Sequence, residues 1–287
     1  MALPNFFMIG TVKSGSTSLH RYLSQHPEVY VSAIKEPGYF RTDDLDTPGK
    51  YRPGVRVWPD YLRLFDGVRD EIAVGEMSVQ YLQCGAAAAE RIRSAIPGAR
   101  LFAILRQPAD RAYSNFLHLR RDLWEPIASF EDALTNEASR LAAGRNPFFG
   151  YRQGGFYYRN LKGFFDQFDR QHLKIFLYEE WDNPQKLLRD LFIFLGVDAE
   201  FKADLGRSEN TSAVPRLEWA PPLRVRRAIK RRLPAWLVPR LKGLLRLNLR
   251  KAPPLDPVVR RRLTEEYRVD ILKTQEFIGR DLSDWLK

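Results

Sequence analysis

The stretch from Gly10 to Thr17, GTVKSGST, decides how the rest of the chain is read. A nucleoside-triphosphate P-loop has the pattern G-x-x-x-x-G-K-[ST]. Gly10, Gly15 and Thr17 fall where that pattern wants them. Ser16, however, occupies the lysine position, and the lysine, Lys13, lies three residues earlier. Before the loop, Asn5 to Ile9 is a short apolar run of the kind that forms a buried parallel strand. After it, Thr17 to Gln25 carries Leu19, Tyr22 and Leu23 at helical spacing, and His26-Pro27 closes the segment. Val29-Tyr30-Val31 reads as the next strand, which completes a βαβ unit.

A glycine loop between a strand and a helix N-terminus attracts anions for two reasons. The first turn's N–H groups have no intrahelical acceptors, and the helix dipole favours negative charge there. Ser14, Ser16, Thr17 and Ser18 add hydroxyls, Gly15 lets the backbone wrap closely, and Lys13 adds a cation. A plain Gly/Ser turn with a helix cap would also use these residues; the strand before and the helix after favour the cradle. Further strands are expected at Ile72–Glu76, Leu101–Leu105 and Leu173–Leu177. Helices are expected at Ala86–Ile96, about Pro108–Leu119 and about Pro184–Leu195, the last capped by Gly196. Alternating strands and helices predict an α/β, P-loop-like three-layer fold with a central parallel β-sheet flanked by helices. The 287 residues suit a single domain, 1–287, with a proline-punctuated basic helical insert at about 220–256.

The strand at 101–105 ends in Leu105-Arg106 rather than in the aspartate a magnesium-dependent P-loop enzyme needs. Arg106 stands where open α/β sheets bind ligands, and Ser114 follows eight residues later in the next helix. A forked guanidinium and a hydroxyl suit a second phosphate. A salt bridge and an exposed helix position are the ordinary readings of the same two residues.

Together the two blocks resemble the sulfotransferases that use 3′-phosphoadenosine 5′-phosphosulfate (PAPS). In that family a lysine-bearing loop, here Lys13-Ser14-Gly15-Ser16-Thr17-Ser18, holds the 5′-phosphosulfate. An Arg…Ser pair, here Arg106 and Ser114, holds the 3′-phosphate. Gln25-His26-Pro27 with Lys35-Glu36-Pro37-Gly38-Tyr39-Phe40 is similar to the heparan-sulfate-type and bacterial branch. So is GEMSVQYL, Gly75 to Leu82, with Val79 in place of the usual proline, and so is LRQPADRAYSN, Leu105 to Asn115. Shorter likenesses lie at Gly155-Phe156-Tyr157, at Tyr178-Glu179-Glu180 and in the ending from Gly279 to Leu286. The family's third donor-contacting loop is expected near Arg207 to Ser212 without a residue-by-residue match.

The resemblance implies PAPS as sulfuryl donor, its product PAP, and no metal. It makes Glu36 the base, matching the glutamate assigned that role in the heparan-type branch, and Lys13 the stabiliser of the leaving phosphate. His118, one turn beyond Ser114, is a candidate second acid/base or acceptor contact, and Tyr157 a weaker candidate. The acceptor is expected to be a hydroxyl or amine of a carbohydrate, glycolipid or small molecule. Two other functions fit parts of the sequence. One is a Mg-dependent P-loop kinase; the other is a basic membrane- or nucleic-acid-binding protein that kept the fold.

Composition narrows the setting. The chain is 44% hydrophobic and 28% charged, without an apolar run of about 18 residues, and its first residues, MALPNFFMIG, have no basic n-region or cleavage site, so no secretory leader is expected. Cys84 is the only cysteine, which points to a reducing, cytoplasmic compartment. The four histidines lack metal-ligand spacing. Of the 46 Lys/Arg, eleven lie between Arg224 and Lys251, a segment with no Asp or Glu. The other 35 basic residues balance the 35 acidic ones, so the net charge of +11 is local to that segment. Residues 224–251 are either a solvated helical pair or a surface for peripheral contact with a membrane or an anionic acceptor. Nucleic acid is the less favoured partner, for the sequence has no RNP, helix-turn-helix or zinc signature.

Overall fold

The computed structural model describes residues 2–41, 54–206, 213–215 and 249–287. Its centre is a five-stranded sheet. Strand β1 (Phe6–Gly10) is followed by α1 (Ser16–Leu23) and β2 (Val29–Val31); a short α2 (Trp58–Leu62) precedes β3 (Ala73–Met77). Then come α3 (Tyr81–Ala95), β4 (Arg100–Leu105), α4 (Pro108–Arg121), α5 (Phe130–Thr135), α6 (Glu137–Ala142) and α7 (Tyr157–Phe165). Strand β5 (Leu173–Leu177) and α8 (Pro184–Leu195) follow. Two three-residue strands, β6 (Ala213–Pro215) and β7 (Leu249–Lys251), lead to the long α9 (Pro257–Ile278).

The sheet order is β2-β3-β1-β4-β5, with every neighbouring pair parallel. Both faces of the sheet are covered, so its inner strands read as unbroken apolar runs. Phe6, Phe7, Met8 and Ile9 are wholly buried, as are Leu101 to Leu105. Full burial of one such side chain stabilises the fold by about 1.5–3 kcal/mol. The connection leaves β1 toward β2 on one side and leaves β4 toward β5 on the other. The carboxyl ends of β1 and β4 therefore flank the point where the winding reverses, the usual ligand crevice of such sheets.

The five expected strands and the parallel sheet are present. Gly196 caps α8 in the left-handed conformation (φ 76°), as expected from its position after Leu195. The helix expected from Ala86 begins earlier, at Tyr81, and is bent at Gly85, whose φ of 55° and ψ of −135° are not helical. Only glycine takes such angles without steric cost, so the GAAAA run marks a kink and not a start. Helix α4 begins at Pro108 for a local reason: proline suits the first helical position, and the Gln107 side chain accepts from the Asp110 N–H at 2.8 Å. Gln107 also donates to Thr264 and to the Trp285 carbonyl, which ties the C-terminal helix to the end of β4.

Strands β6 and β7 pair antiparallel, Ala213 opposite Lys251. They pair a stretch that precedes the basic segment with the end of that segment, and β6 lies alongside α4. Most of the expected insert at about 220–256 (through residue 248) and the expected third donor loop, 207–212, lie outside the described residues.

Candidate active site

The loop after β1 is held by its carbonyl groups. Thr11 donates to Ile104 O of β4 with both its N–H and its hydroxyl, each at 3.1 Å, which locks the start of the loop to the next strand. The Thr11 carbonyl accepts from the Ser14 hydroxyl (2.6 Å), the Lys13 carbonyl from the Arg106 guanidinium (3.1 Å), and the Ser14 carbonyl from the Trp181 indole N–H (3.0 Å). Three oxygens that would repel an anion are thus turned into the protein. The backbone alternates to allow this, with φ of 67° at Lys13 and 90° at Gly15. A Cβ on Gly15 would lie 2.5 Å from Trp181 Nε1, so glycine is required here for space as well as for conformation. The N–H groups of Ser16, Thr17 and Ser18 open α1, whose first turn holds no acidic residue.

Arg106 leaves β4 beside this loop. Its guanidinium lies over the Tyr178 ring at 4.4 Å, and its carbonyl accepts from the Tyr157 hydroxyl at 2.7 Å. Tyr157 is buried, and that burial pushes its hydroxyl up to about 12, so it stays a neutral donor that fixes Arg106. Ser114 is half-buried on α4, one turn before His118. Ser14 differs from its expected place. Its side chain is fully buried and its hydroxyl proton is committed to Thr11 O, so it shapes the loop from inside. Ser16 and Ser18 are also largely buried, and Thr17 is the exposed hydroxyl of the four.

One cleft gathers residues from five parts of the chain. Lys13, Gly15, Ser16 and Thr17 line one side, Lys35 and Glu36 come from the loop after β2, and His118 comes from α4; Val12, Val79 and Phe148 supply apolar wall. The Lys35 ammonium donates to Thr17 Oγ1 at 2.8 Å and lies 3.6 Å from Glu36 Oε1, bridging the two loops. Glu36 is 13% exposed in its side chain and, like Lys13, has a positive φ (59°). Burial, then the Arg121 and Arg106 charges, lower the Lys13 ammonium from 10.5 to about 8, with Asp122 opposing them. His118 Nδ1 lies 2.7 Å from an Arg121 guanidinium nitrogen, and its Nε2 is 3.9 Å from an Asp122 oxygen. Arginine has no acceptor, so Nδ1 accepts and the neutral ring carries its proton on Nε2. With Nδ1 accepting from Arg121, the neutral ring presents an Nε2–H.

Of the residues the sequence reading named, Lys13, Ser16, Thr17, Glu36 and His118 line one cleft, whereas Ser14, Ser18, Arg106 and Ser114 are not among its lining residues. That reading missed Arg121, Trp181 and the bridging role of Lys35. Arg121 had a signal, since three residues separate it from His118 on one helix face. Trp181 reaches the loop across 167 residues of chain, and nothing local marks it. Among the described residues no cluster of His, Cys, Asp or Glu could hold a metal ion, and no helix is long and apolar enough to cross a membrane.

No family model matches the chain. It is 32% identical to a sulfotransferase from Alicyclobacillus acidocaldarius whose crystal structure superposes with a TM-score of 0.78, covering 100% of both chains. It is 29% identical over 143 residues to the membrane-associated sulfotransferase kil1 of Dictyostelium discoideum, 48% of this chain and 29% of that protein. It is 30% identical over 118 residues to the mouse bifunctional heparan sulfate N-deacetylase/N-sulfotransferase 4, 41% of this chain and 13% of that protein. The alignments thus span less than a third of these two curated relatives.

Proposed function

The chain belongs to the sulfotransferase family, and from that premise we propose that it moves the sulfuryl group of PAPS to a hydroxyl or amine of a carbohydrate, glycolipid or small molecule. The observation that carries the reading is that Lys13 of the phosphate loop and Glu36 of the loop after β2 line one cleft. The loop suits an anionic donor: its carbonyls are bonded away from the opening, its helix presents N–H groups, and Lys13 and Arg106 supply charge. When bound, PAPS supplies a sulfuryl group activated by its bond to phosphate.

The protein's own residues then have distinct tasks. Ser16, Thr17 and Ser18 offer N–H groups to the 5′ end of the donor, and Arg106 with Ser114 holds its 3′-phosphate. Glu36 accepts the proton of the acceptor hydroxyl or amine as the new bond to sulfur forms. Lys13 stabilises the charge left on the phosphate as the old bond breaks, which is where a preorganised cation lowers the barrier most. His118 donates from Nε2 to an oxygen in the cleft. Lys35, bonded to Thr17 and beside Glu36, keeps the two loops in register. The name of the mouse relative refers to a glycan, which favours a carbohydrate acceptor. Kil1 is named membrane-associated, which keeps open a peripheral membrane role for 224–251, almost all of it outside the described residues.

Calorimetric titration with 3′,5′-ADP beside 5′-ADP, both in EDTA, tests the donor. Tight binding of the first alone, lost in Arg106→Ala, is expected. Binding of ATP with magnesium, and none of 3′,5′-ADP, would overturn the reading. For the base, Glu36→Gln is expected to retain 3′,5′-ADP binding and lose transfer; unchanged turnover would remove Glu36 from that role.

A further inference from the structure

Glu76, on β3, is a fully buried carboxyl group that the reaction scheme does not use. Its surroundings are hydroxyl groups. Oε2 accepts from Ser78 Oγ at 2.7 Å, and Oε1 accepts from Tyr81 at 2.5 Å and from Tyr61 at 3.4 Å. Two of these hydroxyls reach further. Ser78 Oγ accepts from the Gly38 N–H at 3.0 Å, and the Tyr81 hydroxyl accepts from the Phe40 N–H at 3.3 Å. Gly38 and Phe40 belong to the segment Glu36-Pro37-Gly38-Tyr39-Phe40, which begins at the proposed base. The segment is further packed by Tyr39 stacked on Tyr61 at 4.8 Å and by Phe40 edge-on to Tyr61 and Tyr81.

Each hydroxyl has one proton. Ser78 and Tyr81 both accept from a loop amide, and each donates to Glu76. The two relays, Gly38 to Ser78 to Oε2 and Phe40 to Tyr81 to Oε1, therefore close together only when both carboxyl oxygens accept. A proton on Glu76 would face one of the hydroxyl protons. That hydroxyl would have to turn and drop its link to the carboxyl or to the loop.

We propose that ionised Glu76 is a positioning residue, which holds the base-bearing loop through Ser78 and Tyr81 and keeps Glu36 in its left-handed backbone conformation in the cleft that Lys13 also lines. The proposal rests on the reading of Glu36 as the base. The groups that face Glu76 are Tyr61 of α2, Ser78 and Tyr81 at the junction of β3 and α3, and Glu36 with its neighbour Tyr39 from the loop. Burial raises the Glu76 carboxyl from 4.5 to about 7; the three hydroxyl donors pull it down and the Glu36 charge pushes it up. The loop is therefore held above neutrality and loosened below it, and transfer has an acid limb set by Glu76 as well as by the base.

Amide hydrogen exchange at Gly38 and Phe40, read by NMR at pH 6 and pH 8 and corrected for intrinsic rates, tests this without an acceptor. Protection in the wild type is expected to be roughly tenfold greater at pH 8, with Glu76→Gln low at both pH values. In that variant the affinity for 3′,5′-ADP stays within about twofold, since the phosphate loop makes no bond to the network. If Glu76→Gln does not fold, Ser78→Ala and Tyr81→Phe separate the two relays: the first exposes the Gly38 amide and the second the Phe40 amide. Equal wild-type protection at both pH values, or full protection without the Glu76 carboxylate, overturns the proposal. Glu36→Gln keeps the protection at pH 8 and, by removing the charge that pushes Glu76 up, raises the protection at pH 6; an active Glu36→Gln would remove the base assignment while leaving the exchange result to stand or fall alone.

Discussion

Burial and the neighbouring Arg121 and Arg106 guanidinium groups bring the Lys13 ammonium down to about 8 in the unliganded protein. A phosphate or sulfuryl anion in the loop reverses both causes, because it neutralises the cationic surroundings and pairs the ammonium. Binding must then restore the Lys13 proton wherever it was missing. With a bound value back near 10.5, affinity follows the fraction of Lys13 protonated beforehand. It should fall roughly tenfold between pH 7 and pH 9, or about 1.4 kcal/mol. At pH 8 each binding event should take up about half a proton. The second ionisation of phosphate groups lies near pH 6 and contributes little in this range.

The assay is calorimetry of 3′,5′-ADP in buffers of different ionisation enthalpy, where the slope of heat against that enthalpy counts protons. Lys13→Met is the control and should bind more weakly with no slope at pH 8. An affinity that is flat from pH 7 to 9, with no proton uptake while Lys13 is intact, would refute the electrostatic account of the loop. The same depression has a stability consequence. The folded value lies below the unfolded one, so the contribution of Lys13 is fully present above pH 10.5 and lost as pH falls through 8. A charged Lys13 therefore burdens the empty protein by about 3 kcal/mol. A bound anion should raise the melting temperature more at pH 7 than at pH 10.

Three further outcomes follow from the same geometry. Gly15→Ala puts a methyl group against Trp181 at a φ of 90°; it should lower the melting temperature by several degrees and weaken 3′,5′-ADP binding more than tenfold, and wild-type values in both would refute the packing described. Tyr157→Phe leaves the half-buried Arg106 carbonyl without this donor and should cost about 1 kcal/mol in denaturant unfolding, with weaker 3′,5′-ADP binding as Arg106 loosens. Nitrogen-15 spectra of His118 at neutral pH should show the Nε2–H tautomer, becoming a mixture in Arg121→Ala; a mixture in the wild type would remove the Arg121 constraint.

The fold was legible because its strands are buried on both faces. Phe6 to Ile9 and Leu101 to Leu105 admit no alternation, and the glycine loop between a strand and a helix ordered them. Helix α9 was legible in principle but passed over. Val259, Leu263, Tyr267, Ile271 and Thr274 recur at three- and four-residue intervals on its buried side, yet between them lie charged residues that dilute the run. The kink at Gly85 was hidden for the opposite reason, since an alanine run is a strong helix signal and the glycine before it looked like a boundary. Within the site, contacts close in sequence could be read and contacts made by the sheet order could not. Arg106 meets Lys13 across 93 residues only because β4 lies beside β1.

Backbone conformation carries information about the site that the residue types do not. Among the described residues three non-glycine positions have positive φ: Lys13, Glu36 and Leu123. Such a conformation costs of order 1 kcal/mol or more and persists only where surrounding bonds over-determine it. At Lys13 the bonds are on the page, with Arg106 on its own carbonyl, Ser14 and Trp181 on the carbonyls either side, and Gly15 yielding space to the indole. At Glu36 the following carbonyl, Pro37 O, accepts from the Val55 N–H at 2.7 Å, and the Gly38 and Phe40 amides run into the buried Glu76. Leu123 ends the helix that carries His118 and Arg121, directly after Asp122. Two of these positions are thus charged residues of the cleft, and the third follows Asp122 at the end of the helix that carries His118. The glycine that would relieve the strain is absent from Lys13 and Glu36 because glycine has no ammonium and no carboxylate. The proposed reaction needs those groups where the backbone resists putting them, and the bonds around both loops hold them there.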